Sequence, residues 1–422
     1  MTKRLIVMGA RGVLENRARD GTREPVLLGA LDADNIGEGH RKPLAFRQFI
    51  LKINSRCNLS CHYCYMYEMA DQSWRFQPIS MAPAVIDAIA RRIGEHARIH
   101  DVAELEVILH GGEPLLAGPE LIALAVKTIR RAVDVGTQVH VIIQTNAVLL
   151  SESYLRFLAG LGVRVGVSLD GYQAAQDRHR VFANGKGSHE QVTAALRRLT
   201  TGRYHHLFSG ILCTIDIRND PIATYEALLE FDPPAVDFLL PHGNWSTPPP
   251  FRDPESMRTP YAEWLIAVFD RWYGSTRVET DVRFLSEIIR LLMGFPSRTE
   301  AVGLSPARMV VVETDGSIEL SDILKSAYEG AADTGMNVLR DSFDAVARHP
   351  GIMARQLGVS GLSSVCRGCE IHTVCGGGLH AHRYSDATAF DNPSVYCLDL
   401  FRLIDHIRRR VAHDVAMTRS ER

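Results

Sequence analysis

A chain of 422 residues is longer than one hydrophobic core usually organises, so two or three structural units are expected. Its 46% hydrophobic and 23% charged residues are those of a soluble globular protein, and a formal net charge of −2 argues against a broad nucleic-acid or membrane-binding face. No apolar run approaches the roughly 20 residues of a membrane span, and the N-terminal MTKRLIVMGARG lacks the apolar length and cleavage site of a secretory signal. The cytoplasm is the expected location, with neither nucleic acid nor membrane as a partner.

Residues 1–44 show no clear periodicity and read as an extension, with one short strand near Leu5–Met8. From Phe46, strand-like and helix-like segments alternate. Short Val- and Ile-rich runs predict buried parallel strands at Phe49–Ile53, Leu105–Leu109, Val139–Gln144, Val163–Leu169, Phe208–Ile215 and Val236–Leu240. Apolar residues at i, i+3 and i+4 predict helices over Pro83–Ile99, Leu121–Ala132, Ser153–Leu161, His189–Thr200 and Pro221–Glu230.

This alternation predicts an α/β fold with right-handed crossovers. Six units are too few to close an eight-stranded barrel, so an open, partial (β/α)6 barrel is expected over 45–241. Its reactive residues should lie at the C-terminal strand ends.

The proline-rich Ser246–Pro260 reads as a linker. Helices follow over Ala262–Tyr273 and Arg283–Met293, making 242–300 a bridging segment. Within 301–422 a hairpin is expected over Val310–Ile318 around Asp315-Gly316. A cysteine-bearing region and a terminal helix over Leu398–Val415 complete the chain.

Eight cysteines are distributed as three at 57–64, four at 366–397 and one, Cys213, in the apolar run GILCTI. The two groups read as metal sites rather than disulfides; Cys213 reads as a core thiol. Cys57, Cys61 and Cys64, in CNLSCHYCY, give C-x3-C-x2-C. That run supplies three thiolates where a [4Fe–4S] cluster normally takes four, leaving one iron open. Taken alone it also fits a zinc site one ligand short.

With Tyr63 just before the third cysteine, this spacing resembles the signature of the radical SAM superfamily. The resemblance implies that S-adenosylmethionine (SAM) chelates the open iron through its amino and carboxylate groups. Downstream, HGGEP (110–114) resembles the superfamily's motif for the SAM amino group. There Gly111 and Gly112 would let the backbone approach a ligand closely, and Glu113 would accept from the ammonium. Ser168, at the end of a strand, is a candidate for a ribose or carboxylate contact. Arg180 suits the SAM carboxylate through its guanidinium fork. Asn146 and Asp170 lie at strand ends expected to face the cavity, and Asn146 and Tyr63 join the expected cofactor contacts. Ser188 reads instead as an N-cap.

Cys366, Cys369, Cys375 and Cys397 are enough to ligate a second [4Fe–4S] cluster or a structural zinc. Their spacing resembles the auxiliary cluster of SPASM domains, found in anaerobic sulfatase maturases and many peptide-modifying enzymes. A full SPASM domain has seven cysteines and two auxiliary clusters. Here Leu379 and Ser321 stand where two of those cysteines are expected, which implies one auxiliary cluster only. PHGNW (241–245), TDGSIELSDILKSAYEG, CGGGLHAHRY and FDNPSVYCLDL narrow the resemblance to FxsB-type radical SAM/SPASM peptide maturases, whose relatives form three-residue cyclophanes.

The resemblance implies abstraction of a side-chain Cβ hydrogen on a ribosomally made precursor peptide, then carbon–carbon bonding to an aromatic ring. Asp322, aligned with the catalytic aspartate of sulfatase maturases, is the candidate proton acceptor. A flavodoxin- or ferredoxin-type donor would supply electrons. The alternative is oxidation of Cys or Ser to formylglycine, or another peptide cross-link such as a thioether.

Overall fold

The computed structural model describes residues 43–253 and 255–420; the expected strand at Leu5–Met8 and nearly all of the N-terminal extension lie outside them. Ten strands form one sheet: β1 (Gln48–Asn54), β2 (Glu104–Gly111), β3 (Gln138–Thr145), β4 (Arg164–Ser168), β5 (Phe208–Thr214), β6 (Ala235–Leu239), β7 (Asp281–Val282), β8 (Met309–Val312), β9 (Ser317–Glu319) and β10 (Asp333–Asn337). The order β10-β9-β8-β1-β2-β3-β4-β5-β6-β7 leaves the sheet open, with β7 and β10 at its edges. All six predicted barrel strands are present, parallel and in sequence.

The longer helices are α1 (Pro83–Ile99), α2 (Gly118–Ala132), α3 (Glu152–Leu161), α4 (Gln173–His179), α5 (His189–Thr200), α6 (Pro221–Leu229), α7 (Pro260–Tyr273), α8 (Arg283–Leu292) and α9 (Cys397–Ser420). Local chemistry sets their ends. Ser151 caps α3 by accepting from the Tyr154 amide at 3.3 Å, and Gly162 ends that helix at φ 58°. Asp220 accepts from the Ala223 amide at 2.7 Å ahead of Pro221, whose missing N–H costs nothing at a first helical position. Ser188 occupies the position before α5, but its hydroxyl donates to the Arg180 carbonyl and accepts from Gln176 instead of capping. Asp177 takes the His189 amide in its place.

Two features depart from expectation. The hairpin around Gly316 (φ 87°) forms, but its first strand, β8, also pairs in parallel with β1 from Gln48↔Met309 to Leu51↔Val312. The C-terminal region therefore extends the barrel sheet. The short helix α4 is the second, since seven residues are too few to display a periodic face in the sequence. One hydrophobic core runs through the whole assembly and includes Cys213, which is fully buried. On the far side, the Asp399 carboxylate of α9 accepts the Tyr261 and Ala262 amides of α7, both at 3.0 Å. No described helix is long and apolar enough to cross a membrane.

Candidate functional site

The three-cysteine loop leaves β1 directly, and the end of β2 is pressed against its root. Gly112 donates its N–H to the Asn54 carbonyl and Glu113 to the Arg56 carbonyl, each at 2.9 Å. A Cβ on Gly111 would lie 2.1 Å from the Asn54 oxygen, and one on Gly112 would lie 1.9 Å from the Tyr67 hydroxyl. These glycines are thus required by the close approach of protein backbone. From the other side, the Ser60 amide donates to the Val181 carbonyl at 2.7 Å and the His62 amide to the His179 carbonyl at 3.2 Å, pinning the loop between the barrel's halves.

Glu113 is buried, and its carboxylate accepts from the Leu115 amide (3.0 Å), the Thr145 hydroxyl (2.7 Å) and the Asn146 amide (2.8 Å). Burial outweighs these donors and pushes its carboxyl up to about 7. The Asn146 side chain donates to Asn58 at 2.8 Å and approaches the Cys57 sulfur at 3.7 Å, so it does face the cysteine loop. At the ends of β3 and β4, Gln144 donates to the Ser168 hydroxyl at 3.1 Å.

Asp170 is the organiser that sequence reading undervalued. Its carboxylate accepts from the Tyr63 hydroxyl, from Arg180 Nε at 3.0 Å and from the Thr214 amide at 2.9 Å. Arg180 also lies over the Tyr63 ring at 5.5 Å. This links the cysteine loop, the end of β4 and the end of β5. Arg180 is buried beside Asp170, and that carboxylate keeps its guanidinium firmly protonated. A short polar residue one step past a strand end was the available signal.

Asp322 begins the turn after β9 and reaches into the barrel. It pairs with Lys52 of β1 and accepts from the Tyr65 hydroxyl at 2.8 Å. The Lys52 ammonium also contacts His110 Nδ1 at 2.9 Å. Asp322 lies well below the usual carboxylate range because Lys52, with the hydrogen bonds of Lys52 and Tyr65, overcomes its burial. His110 is held near 3 by burial and then by Lys52, so it accepts as a neutral ring.

At the other cysteine group, Cys366, Cys375 and Cys397 are within electrostatic reach of one another, and Cys369 acts on Cys397. The three glycines after Cys375 have φ of 62°, 75° and 67°. Their carbonyls gather around the Arg383 guanidinium, a backbone course that side chains resist.

Both donor sets fit iron–sulfur clusters. All eight cysteines are free thiols. Burial pushes Cys57 and Cys375 up to about 12 and Cys61 and Cys397 to about 11, so the thiolate form needs a compensating cation. Among the described residues, His96, His100 and Asp344 form the one group of three ligand atoms within 4.8 Å of one another. A single tetrahedral zinc, with bonds of about 2.3 Å, would hold its sulfurs within about 3.8 Å. No three of the described cysteine sulfurs all lie within 4.8 Å of one another, which argues against a single zinc held by either group.

The Radical SAM superfamily profile matches residues 51–223. A serine-type anaerobic sulfatase-maturating enzyme of Klebsiella aerogenes is 24% identical over 355 residues, 81% of each chain. A cysteine-type one of Clostridium novyi is 21% identical over 358 residues, 82% of this chain and 90% of its own. Among solved structures, native anSMEcpe with bound AdoMet and Cp18Cys peptide superposes with a TM-score of 0.73 at 21% identity, covering 87% of this chain and 97% of its own. Streptococcus suis SuiB bound to precursor peptide SuiA gives 0.54 at 13% identity, covering 84% and 76%. The cysteine loop thus lies just inside the stretch that matches the Radical SAM superfamily model, and the chain shares the open parallel sheet of these structures.

Proposed function

We propose that this enzyme oxidises a Cys or Ser side chain of a peptide or protein substrate at Cβ, to formylglycine; its relatives are named serine-type and cysteine-type anaerobic sulfatase-maturating enzymes. The observation that carries this reading is Asp322. The similarity runs through the C-terminal region as well as the barrel, and that region delivers a buried, ionised carboxylate to the barrel interior.

When bound, SAM and the cluster at Cys57, Cys61 and Cys64 supply a 5′-deoxyadenosyl radical, and a second cluster at Cys366, Cys369, Cys375 and Cys397 supplies an electron acceptor. The chain's own residues do the rest. Glu113 and the carbonyls of Gly111 and Gly112 would hold the SAM amino group. Arg180, held by Asp170 and stacked on Tyr63, offers its outer guanidinium nitrogens to the carboxylate. Ser168 and Asn146 complete the cradle. Asp322 receives the proton the substrate releases, while Lys52 and Tyr65 fix its orientation. A flavodoxin- or ferredoxin-type protein serves as external reductant.

A second reading, cross-linking of the substrate Cβ to an aromatic ring in the manner of cyclophane-forming maturases, is favoured by one observation. Ser321 and Leu379 replace two SPASM cysteines, and the Ser321 hydroxyl is buried without a partner. That departs from the sulfatase-maturase pattern.

Anaerobically reconstituted enzyme incubated with SAM, dithionite and synthetic peptides separates the readings by tandem mass spectrometry. The peptides present a single Cys, a single Ser, or an aromatic residue two positions from the reacting Cβ. A change confined to the Cys or Ser residue is expected. Loss of two hydrogens shared between two residues would favour the cross-link, and 5′-deoxyadenosine release with every peptide unaltered would overturn both.

A further inference from the structure

Two imidazoles at the barrel mouth carry ring nitrogens that no described residue satisfies. His242 lies just beyond β6, and His382 in the helical turn His380–Arg383 of the C-terminal region. Their ring centres are 5.8 Å apart. Tyr65, whose hydroxyl donates to Asp322, packs edge-on against His242 at 4.8 Å. Tyr396, anchored by its hydroxyl to the Pro241 carbonyl at 2.7 Å, packs against His382 at 5.0 Å. Both rings are therefore held in place, one on each side of the seam between barrel and C-terminal region.

Nevertheless Nδ1 of His242 and Nε2 of His382 are shut off from solvent and have no hydrogen-bond partner. His382 as a whole is only 2% exposed. Buried polar atoms are almost always paired, and an unpaired one is costly. Two on neighbouring rings beside the Asp322 carboxylate point to a ligand that completes them. Burial holds His242 near 4 and His382 well below the ordinary imidazole value, so both rings are neutral. Each then offers one N–H donor and one bare acceptor.

The two nearest charged groups already have hydrogen-bonding partners. Asp322 is paired with Lys52, and the Arg383 guanidinium is directed to the carbonyls of Gly376, Gly377 and Gly378. A neutral group with one donor and one acceptor suits this place, and a peptide amide has that composition. We propose that His242 and His382 form a hydrogen-bonding clamp for a backbone amide of the substrate peptide, beside the residue whose Cβ faces Asp322. The inference rests on the peptide-modifying reading above.

The test uses full-length reconstituted enzyme and the three synthetic peptides named above, each fluorescein-labelled, with affinity read by anisotropy. His242→Phe and His382→Phe remove the unpaired atoms and keep the ring volume. Such a change should hold or raise Tm and leave the iron content intact, because an apolar ring suits a buried site. Peptide Kd should nonetheless weaken about tenfold for each. His242→Asn and His382→Gln return a polar atom near Nδ1 and Nε2 respectively, and should bind within about threefold of the parent. Phe variants that bind the peptide like the parent would overturn the clamp, as would Phe variants that lose iron or Tm. A parent that binds none of the three peptides would overturn the peptide reading itself, a different result from equal binding by parent and variants.

Discussion

Lys52 of β1 and Asp322, in the turn after β9, come from opposite halves of the sequence, yet they form an ion pair within the barrel, with side chains 1% and 6% exposed. Breaking a buried pair from one side leaves an uncompensated charge and costs about 3–5 kcal/mol, whereas replacing both partners by apolar groups is often neutral. Lys52→Met and Asp322→Asn should each lower stability by that order, measured by chemical denaturation under anaerobic conditions. The double variant Lys52→Met/Asp322→Leu should recover most of that stability and still yield no modified peptide by mass spectrometry. Recovery of both together would remove Asp322 from the chemistry.

Glu113 gives a pH dependence of definite sign. Its folded value, about 7, lies above the ordinary glutamate value of 4.5. Its contribution to stability is therefore complete below pH about 4.5 and is lost as pH rises through about 7. At about 1.4 kcal/mol per unit this amounts to about 3 kcal/mol. Glu113→Gln should flatten the stability profile between about pH 5 and 8 in enzyme without added SAM.

Asp322 shows the opposite sign. Its depressed value means that its contribution is present above the ordinary carboxylate range and lost only as pH falls into strong acid. Stability attributable to the Lys52 pair should therefore stay level from about pH 5 to 8, and a double-mutant cycle at pH 5 and pH 8 checks this.

The two cysteine groups should load independently. Substituting Cys366, Cys369, Cys375 and Cys397 by Ala together should take iron from about eight to about four per chain. SAM cleavage should persist in that variant and peptide modification should cease. Substituting Cys57, Cys61 and Cys64 should remove the other four irons and abolish 5′-deoxyadenosine formation.

Gly112→Ala should prevent proper assembly of the SAM-binding cluster, because the new methyl would meet the Tyr67 hydroxyl at 1.9 Å and the Arg56 carbonyl at 2.4 Å. Iron content and circular dichroism of the reconstituted variant measure the effect; full loading would show that the loop yields without difficulty.

Much of this architecture is legible in the chain because the barrel strands are short β-branched runs separated by helices with a clear apolar period. The cysteine spacings are equally plain. What escapes is the long-range pairing. Nothing in Met309–Val312 announces that it will lie beside Gln48–Leu51, since an apolar strand does not encode its neighbour. The Asp170 hub and the Lys52 partner of Asp322 escape for a related reason. A lysine within FILKIN reads as an interruption of an apolar strand, and only the folded arrangement, with a carboxylate arriving 270 positions later, explains it. His242 and His382 look like isolated ring residues until the seam brings them together.

The ladder from β1 to β8 has a mechanical corollary. The cysteines at 366–397 belong to a region grafted onto the barrel by main-chain hydrogen bonds rather than hung from a tether. Swinging that region aside would first require unzipping Gln48–Leu51 from Met309–Val312, exposing a bare strand edge of the kind that invites aggregation. The separation of the two thiol groups is accordingly a fixed dimension of the scaffold, set when the chain folds.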